Sequence, residues 1–149
     1  MENKIEYAKI IEKKFNENNF GFTKKELEKS TIFSFPMPAK NAPGINLAIK
    51  VGKKHDYIKI FTYISNKIND DNRQALLELI NSLHNRFRYV VFSIDEDNSL
   101  CASYEFALFG EDENIIEKQV ITTIVLVSEV VDACIPEIMM NIWKSEKND

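Results

Sequence analysis

Apolar residues recur along this chain with two periods, and the switches between them mark out the elements. In residues 2–18, Ile5, Ala8, Ile11 and Phe15 return at spacings of three and four among lysines and glutamates, which predicts an amphipathic helix. "NNFGF" ends it, with Gly21 available for a positive φ. Three runs of period two follow. Phe33, Phe35 and Met37 share one face of "STIFSFPM". Ile45, Leu47, Ile49 and Val51 share one face of "GINLAIKV", and Ile58, Ile60 and Ile64 one face of "YIKIFTYIS". Pro36 and Pro38 predict an edge position for the end of the first strand, because proline has no amide to give to a ladder.

A second helix is predicted from Asp71 and Gln74, which have capping-box spacing, followed by the stripe Leu76, Leu79, Ile80, Leu83 and Phe87. Period two then returns in "RYVVFSIDEDNSLCASYEFALF". Val90, Phe92 and Ile94 on one side of the acidic cluster, and Leu100, Ala102, Tyr104, Phe106 and Leu108 on the other, are all even-numbered. Facing residues share a sheet face, so even must pair with even and the loop must hold an odd number of residues. The spacing predicts a three-residue loop of Glu96, Asp97 and Asn98, with Asn98 left-handed, Phe92 facing Ala102 and Val90 facing Tyr104.

The last segment, residues 112–143, contains the β-branched run "VITTIVLV" but sorts better as a helix. Ile116, Val120, Ile124, Val127, Val131, Cys134, Ile138 and Ile142 fall in one stripe under about 100° wide. Pro136 should kink it rather than end it, because the stripe continues in phase beyond the proline. Ile121, Val125, Met139 and Trp143 fall about 140° to 180° around the wheel from Ile116. A second apolar face of this kind predicts a partner-binding surface, for a second copy or for another protein. The element order is α-β-β-β-α-β-β-α. It implies an α+β fold in which helices pack on one face of a five-stranded antiparallel sheet.

Composition narrows the function. A chain of 149 residues suits one domain, here residues 1–149. The net charge of −4 gives no electrostatic reason to expect nucleic acid or anionic membrane as partner. No signal peptide or membrane span is readable, so the expected compartment is the cytosol, with Cys101 and Cys134 reduced. No dinucleotide fingerprint, P-loop or nucleophile elbow is present, and no cofactor is implied. The two histidines, His55 and His84, lie in different elements, which excludes clustered-histidine metal motifs. A calcium loop starting at Asp95 would need Gly at 100 and Glu at 106, where the chain has Leu100 and Phe106. Cys101 reads as a small core residue rather than a nucleophile served by His84, and His84 as a helix-terminus cation. "YIKIFTY" interleaves aromatics with lysine, as base-stacking sheets do, but the element order is not that of an RRM. Tyr57, Phe61 and Tyr63 read instead as one packed face of a central strand.

The stretches "LLELINSLHNRFRYVVFSIDEDNSLCASYEFAL" and "VVDACIPEIMMNIW" resemble the YbjN-like family of bacterial proteins, also labelled sensory transduction regulators. That family is similar in fold to type III secretion chaperones and commonly has Gly where this chain has Asn98. The resemblance implies a non-enzymatic, chaperone-like or regulatory protein-binding module, often dimeric, with no catalytic residue to carry over. The alternative expectation is a small-molecule sensor with a pocket between sheet and helices.

Overall fold

The computed structural model describes residues 5–110 and 112–146. The described chain folds as α1 (Tyr7–Glu17), β1 (Thr23–Glu26), β2 (Ser30–Met37), β3 (Ile45–Gly52), β4 (Tyr57–Ser65), α2 (Asp70–Arg86), β5 (Val91–Ile94), β6 (Leu100–Ala107) and α3 (Glu113–Glu146). The fold is α+β. The sheet is antiparallel throughout, in the order β1-β2-β3-β4-β6-β5. It has six strands, not five. The extra strand, β1, reads TKKE and is exposed at every position, so it carries no apolar alternation to announce it. β1 pairs with Thr31–Ser34 only. Pro36 therefore lies in the part of β2 that has one neighbour, where a missing amide costs nothing.

The alternating faces emerge as read. Phe33, Phe35, Ile45, Leu47, Ile49, Val51, Ile58 and Ile60 are buried under the helices, and Met37 and Ile64 are partly buried. The β5–β6 hairpin has the expected register at Phe92↔Ala102 and Ile94↔Leu100. Its loop is Glu96–Asn98, closed by the Asp95 amide to the Ser99 carbonyl at 3.0 Å, with Asn98 at φ 58°. Even residues thus pair with even across the hairpin. Val90, however, precedes the ladder, which starts at Val91↔Ser103 because Tyr89 turns the chain at φ 73°.

Three local readings are corrected by the structure. α1 begins at Tyr7, and residues 2–4 of the predicted helix lie outside the described residues. Its exit uses Asn19, at φ 54°, in place of Gly21. The Phe20 amide bonds the Phe15 carbonyl at 2.8 Å and the Asn19 amide bonds that of Asn16 at 3.2 Å, with the Phe15 and Phe20 rings 4.8 Å apart. This is a Schellman motif with its apolar contact, and asparagine tolerates the left-handed position. The α2 capping box is Asn69/Asn72, not Asp71/Gln74. Asn69 accepts from the Asp71 and Asn72 amides, and Asn72 accepts from the Asn69 amide at 2.9 Å. Asn72 is also buried and donates to the Lys67 carbonyl, an anchor that no spacing rule reveals.

All eight residues of the α3 stripe are buried. The helix runs unbroken through Pro136. Proline gives no amide to the carbonyl four residues earlier, that of Asp132. The Asn41 side chain supplies the missing donor at 3.0 Å, while the Lys40 and Asn41 amides bond the Asp132 carboxylate at 3.0 and 2.9 Å. The β2–β3 loop therefore docks on α3 where the proline leaves the helix unsatisfied. These amides, Lys40's first, hold the Asp132 carboxyl below its ordinary range. No helix among the described residues is long and apolar enough to cross a membrane.

Candidate interaction surface

The chemistry-bearing residues are dispersed rather than assembled. His84 lies in the last turn of α2, and its Nε2 accepts the Phe92 amide at 2.9 Å, tying that helix to β5. The bond covers one amide on the free edge of β5. The nitrogen is thus committed to a backbone amide rather than to Cys101, which lies on β6 opposite Ser93 and Tyr63. Burial pushes the Cys101 thiol up, away from thiolate, and pushes Cys134 up to about 11. Among the described residues no His, Cys, Asp and Glu side chains are grouped to hold a metal ion. Asp95 in the hairpin turn spends its Oδ1 on the amides of Asp97 and Ser99, at 3.0 and 2.9 Å. Those bonds make it a turn former.

The spaces between sheet and helices differ widely in size. The apolar crevice between α1 and α3, walled by Ile10, Ile11, Phe15, Val120 and Ile121, holds about 10 Å³. The groove between α3 and the β2–β3 and β4 ends, lined by Gly44, Tyr63, Ile64, Ile135 and Met139, holds about 180 Å³. Both fall short of the roughly 300–1,000 Å³ of most small-molecule sites, whereas the cleft between the start of α1 and the β1–β3 strands, lined by Tyr7, Lys9, Glu26, Thr31 and Lys53, holds about 420 Å³.

Apolar surface is the other candidate. α3 is flanked by α1 through Lys13–Glu113 at 2.9 Å and by α2 through Arg86–Glu137 at 2.8 Å. Its outer side is left open. Of the four residues predicted to bind a partner, Ile121 (38% exposed), Val125 (42%) and Trp143 (57%) lie on that open side. Met139 does not, since it packs half-buried against the core beside Tyr63 and Ile64. Met140, 53% exposed, joins the outer face in its place. Ala133 and Pro136 are also exposed on α3, between Val125 and Met140. The wheel angle alone misses the Met139–Met140 exchange, because the rim of the sheet covers one side of α3 and not the other.

The underside of the sheet is also uncovered. Tyr57, Lys59, Phe61 and Tyr63 alternate along β4 away from the helices, and Tyr63 is 62% exposed. These aromatics do share one face of a central strand, as read, but it is the open face.

The fold is shared with a solved structure. The chain superposes on the crystal structure of an uncharacterized protein from Methanothermobacter thermautotrophicus with a TM-score of 0.52 and 18% identity, over 95% of this chain and 97% of that one. At that identity the likeness speaks to the fold alone. No family model matches the chain, and no curated protein matches it.

Proposed function

We propose that this chain is a non-enzymatic protein-binding module, a chaperone-like or regulatory adaptor that works in the cytosol. It pairs with a second copy or with another protein through the outer face of α3. The YbjN-like resemblance and a type III secretion chaperone-like fold belong to the same proposal. The element order α-β-β-β-α-β-β-α, with β1 as an added edge strand, supports them.

One observation carries the reading. The buried stripe of α3 already seats the helix on the sheet, yet Ile121, Val125, Met140 and Trp143 stay exposed along the opposite side. Isolated exposed apolar residues are ordinary, whereas a line of them along one helix is the pattern of an interface. Tryptophan and methionine are typical of interface centres.

Light scattering tests it. The wild type should have a mass above the 17.3 kDa of one chain. Val125→Asp and Trp143→Asp should remain folded by circular dichroism and fall to the monomer mass. A monomeric wild type whose aspartate variants unfold would make this face ordinary core.

A further inference from the structure

We propose that the open face of the sheet is a docking site for an acidic protein segment that also carries apolar side chains. This rests on the reading of the chain as a protein-binding module and names a second surface on it.

Two parallel rows of side chains cross the open face. Cross-strand pairing sets the first as Lys25–Ile32–Lys50–Lys59–Glu105 and the second as Thr23–Ser34–Ala48–Phe61–Ser103–Val91. Lys50 and Lys59 are direct partners, and like charges in that position repel. The other side of the protein handles lysine differently. Lys13, Lys14, Lys24 and Lys53 each meet a glutamate between 2.9 and 3.4 Å away. Among the described residues Lys25, Lys50 and Lys59 form no ion pair, even though Glu105 lies across the ladder from Lys59. A chain of net charge −4 thus carries three lysines in one row, beside a row that holds Ala48, Phe61 and Val91 among Thr23, Ser34 and Ser103.

Lysines and aromatics on an open sheet also suit single-stranded nucleic acid. The rings argue against it. Phe61 has Lys59 Nζ over its face at 5.5 Å and Tyr63 edge-on at 6.0 Å. Tyr57 lies across Gly52, filling the space where a side chain would begin. Two of the three rings are therefore engaged within the fold, and burial, with Cys101, Asp95 and Asp97 nearby, raises the Tyr63 phenol. Phosphates there would meet carboxylates. A protein segment crossing the strands between the rows needs no stacking platform. The rows are about 7 Å apart, two residues of strand rise, so alternate side chains of an extended segment reach one row and then the other. Carboxylates would meet Lys50 and Lys59, and apolar side chains would meet Ala48 and Val91.

Fluorescence anisotropy with three labelled probes tests this: an alternating Glu–Leu octapeptide, its Lys–Leu counterpart and an oligouridylate. The Glu–Leu probe should bind at about 50 mM salt and weaken at about 300 mM. A folded Lys50→Glu/Lys59→Glu variant should lose about tenfold or more in affinity. Val125→Asp, on the other side of the molecule, should bind the probe as the wild type does, so failure of the α3 interface and failure of this site give different results. The proposal is overturned by no binding of the Glu–Leu probe at low salt, by equal binding of the Lys–Leu probe, by tighter binding of the oligouridylate, or by undiminished binding to the double variant.

Discussion

The two faces of the sheet, built from alternate residues of the same strands, solve opposite problems. Under the helices, Ile49, Ile60 and Val51 are fully buried, while their neighbours Lys50, Phe61 and Gly52 face outward and are only partly buried. The covered face is paired to completion. Among the described residues no buried side-chain nitrogen or oxygen lacks a partner, and lysines at its rim sit against glutamates. On the open face, among the described residues, Lys25, Lys50 and Lys59 form no ion pair and Tyr63 is mostly exposed. Stability and interaction are thus separated by one step along a strand. The covered face spends its side chains on the fold and the open face keeps its own available.

The largest test of this division compares adjacent residues of β4. Ile60→Ala should cost about 2–5 kcal/mol in urea unfolding, by lost transfer energy plus a cavity. Phe61→Ala, one residue on, should cost about 1 kcal/mol. Equal losses would mean that the open face is also packed core.

A smaller effect is expected at the rim, where the β2–β3 loop meets α3. Asn41→Ala removes the donor to the Asp132 carbonyl and should cost about 1 kcal/mol. In a Pro136→Ala background the helix supplies its own amide to that carbonyl, so the cost should shrink, and a double-mutant cycle reads the coupling. Additive losses would show that Asn41 does not compensate for the proline.

The smallest effect is electrostatic. The Asp132 carboxylate is favoured in the folded state by the Lys40 and Asn41 amides. Its folded pKa lies below the unfolded one, so its contribution is complete above the ordinary carboxylate range and is lost as pH falls through the depressed value. An NMR titration should place its midpoint below about 3.9, with the Lys40 and Asn41 amide signals moving together with it. A midpoint at the ordinary value would show that the loop does not hold the carboxylate.

Short-range periodicity by itself determined much of this protein. The eight-residue stripe of α3 and the buried sets of β2, β3 and β4 follow from apolar spacing, because helix and strand geometry turn spacing directly into faces. The hairpin register followed from parity alone, since facing residues must share a face. The second apolar side of α3 was legible in the same way at Ile121, Val125 and Trp143. Tertiary structure decided the rest. β1 forms because β2 offers an edge, and its TKKE has no inward pattern to read. The α2 start moved to Asn69 because Asn72 is anchored in the interior by Lys67. Met139 and Met140 exchanged roles because the sheet rim shelters one side of a helix that spacing treats as symmetric. The open face is visible only once all three helices are seen to lie on the same side of the sheet. Alternation tells which residues share a face, but only the packing of distant elements decides which face is covered.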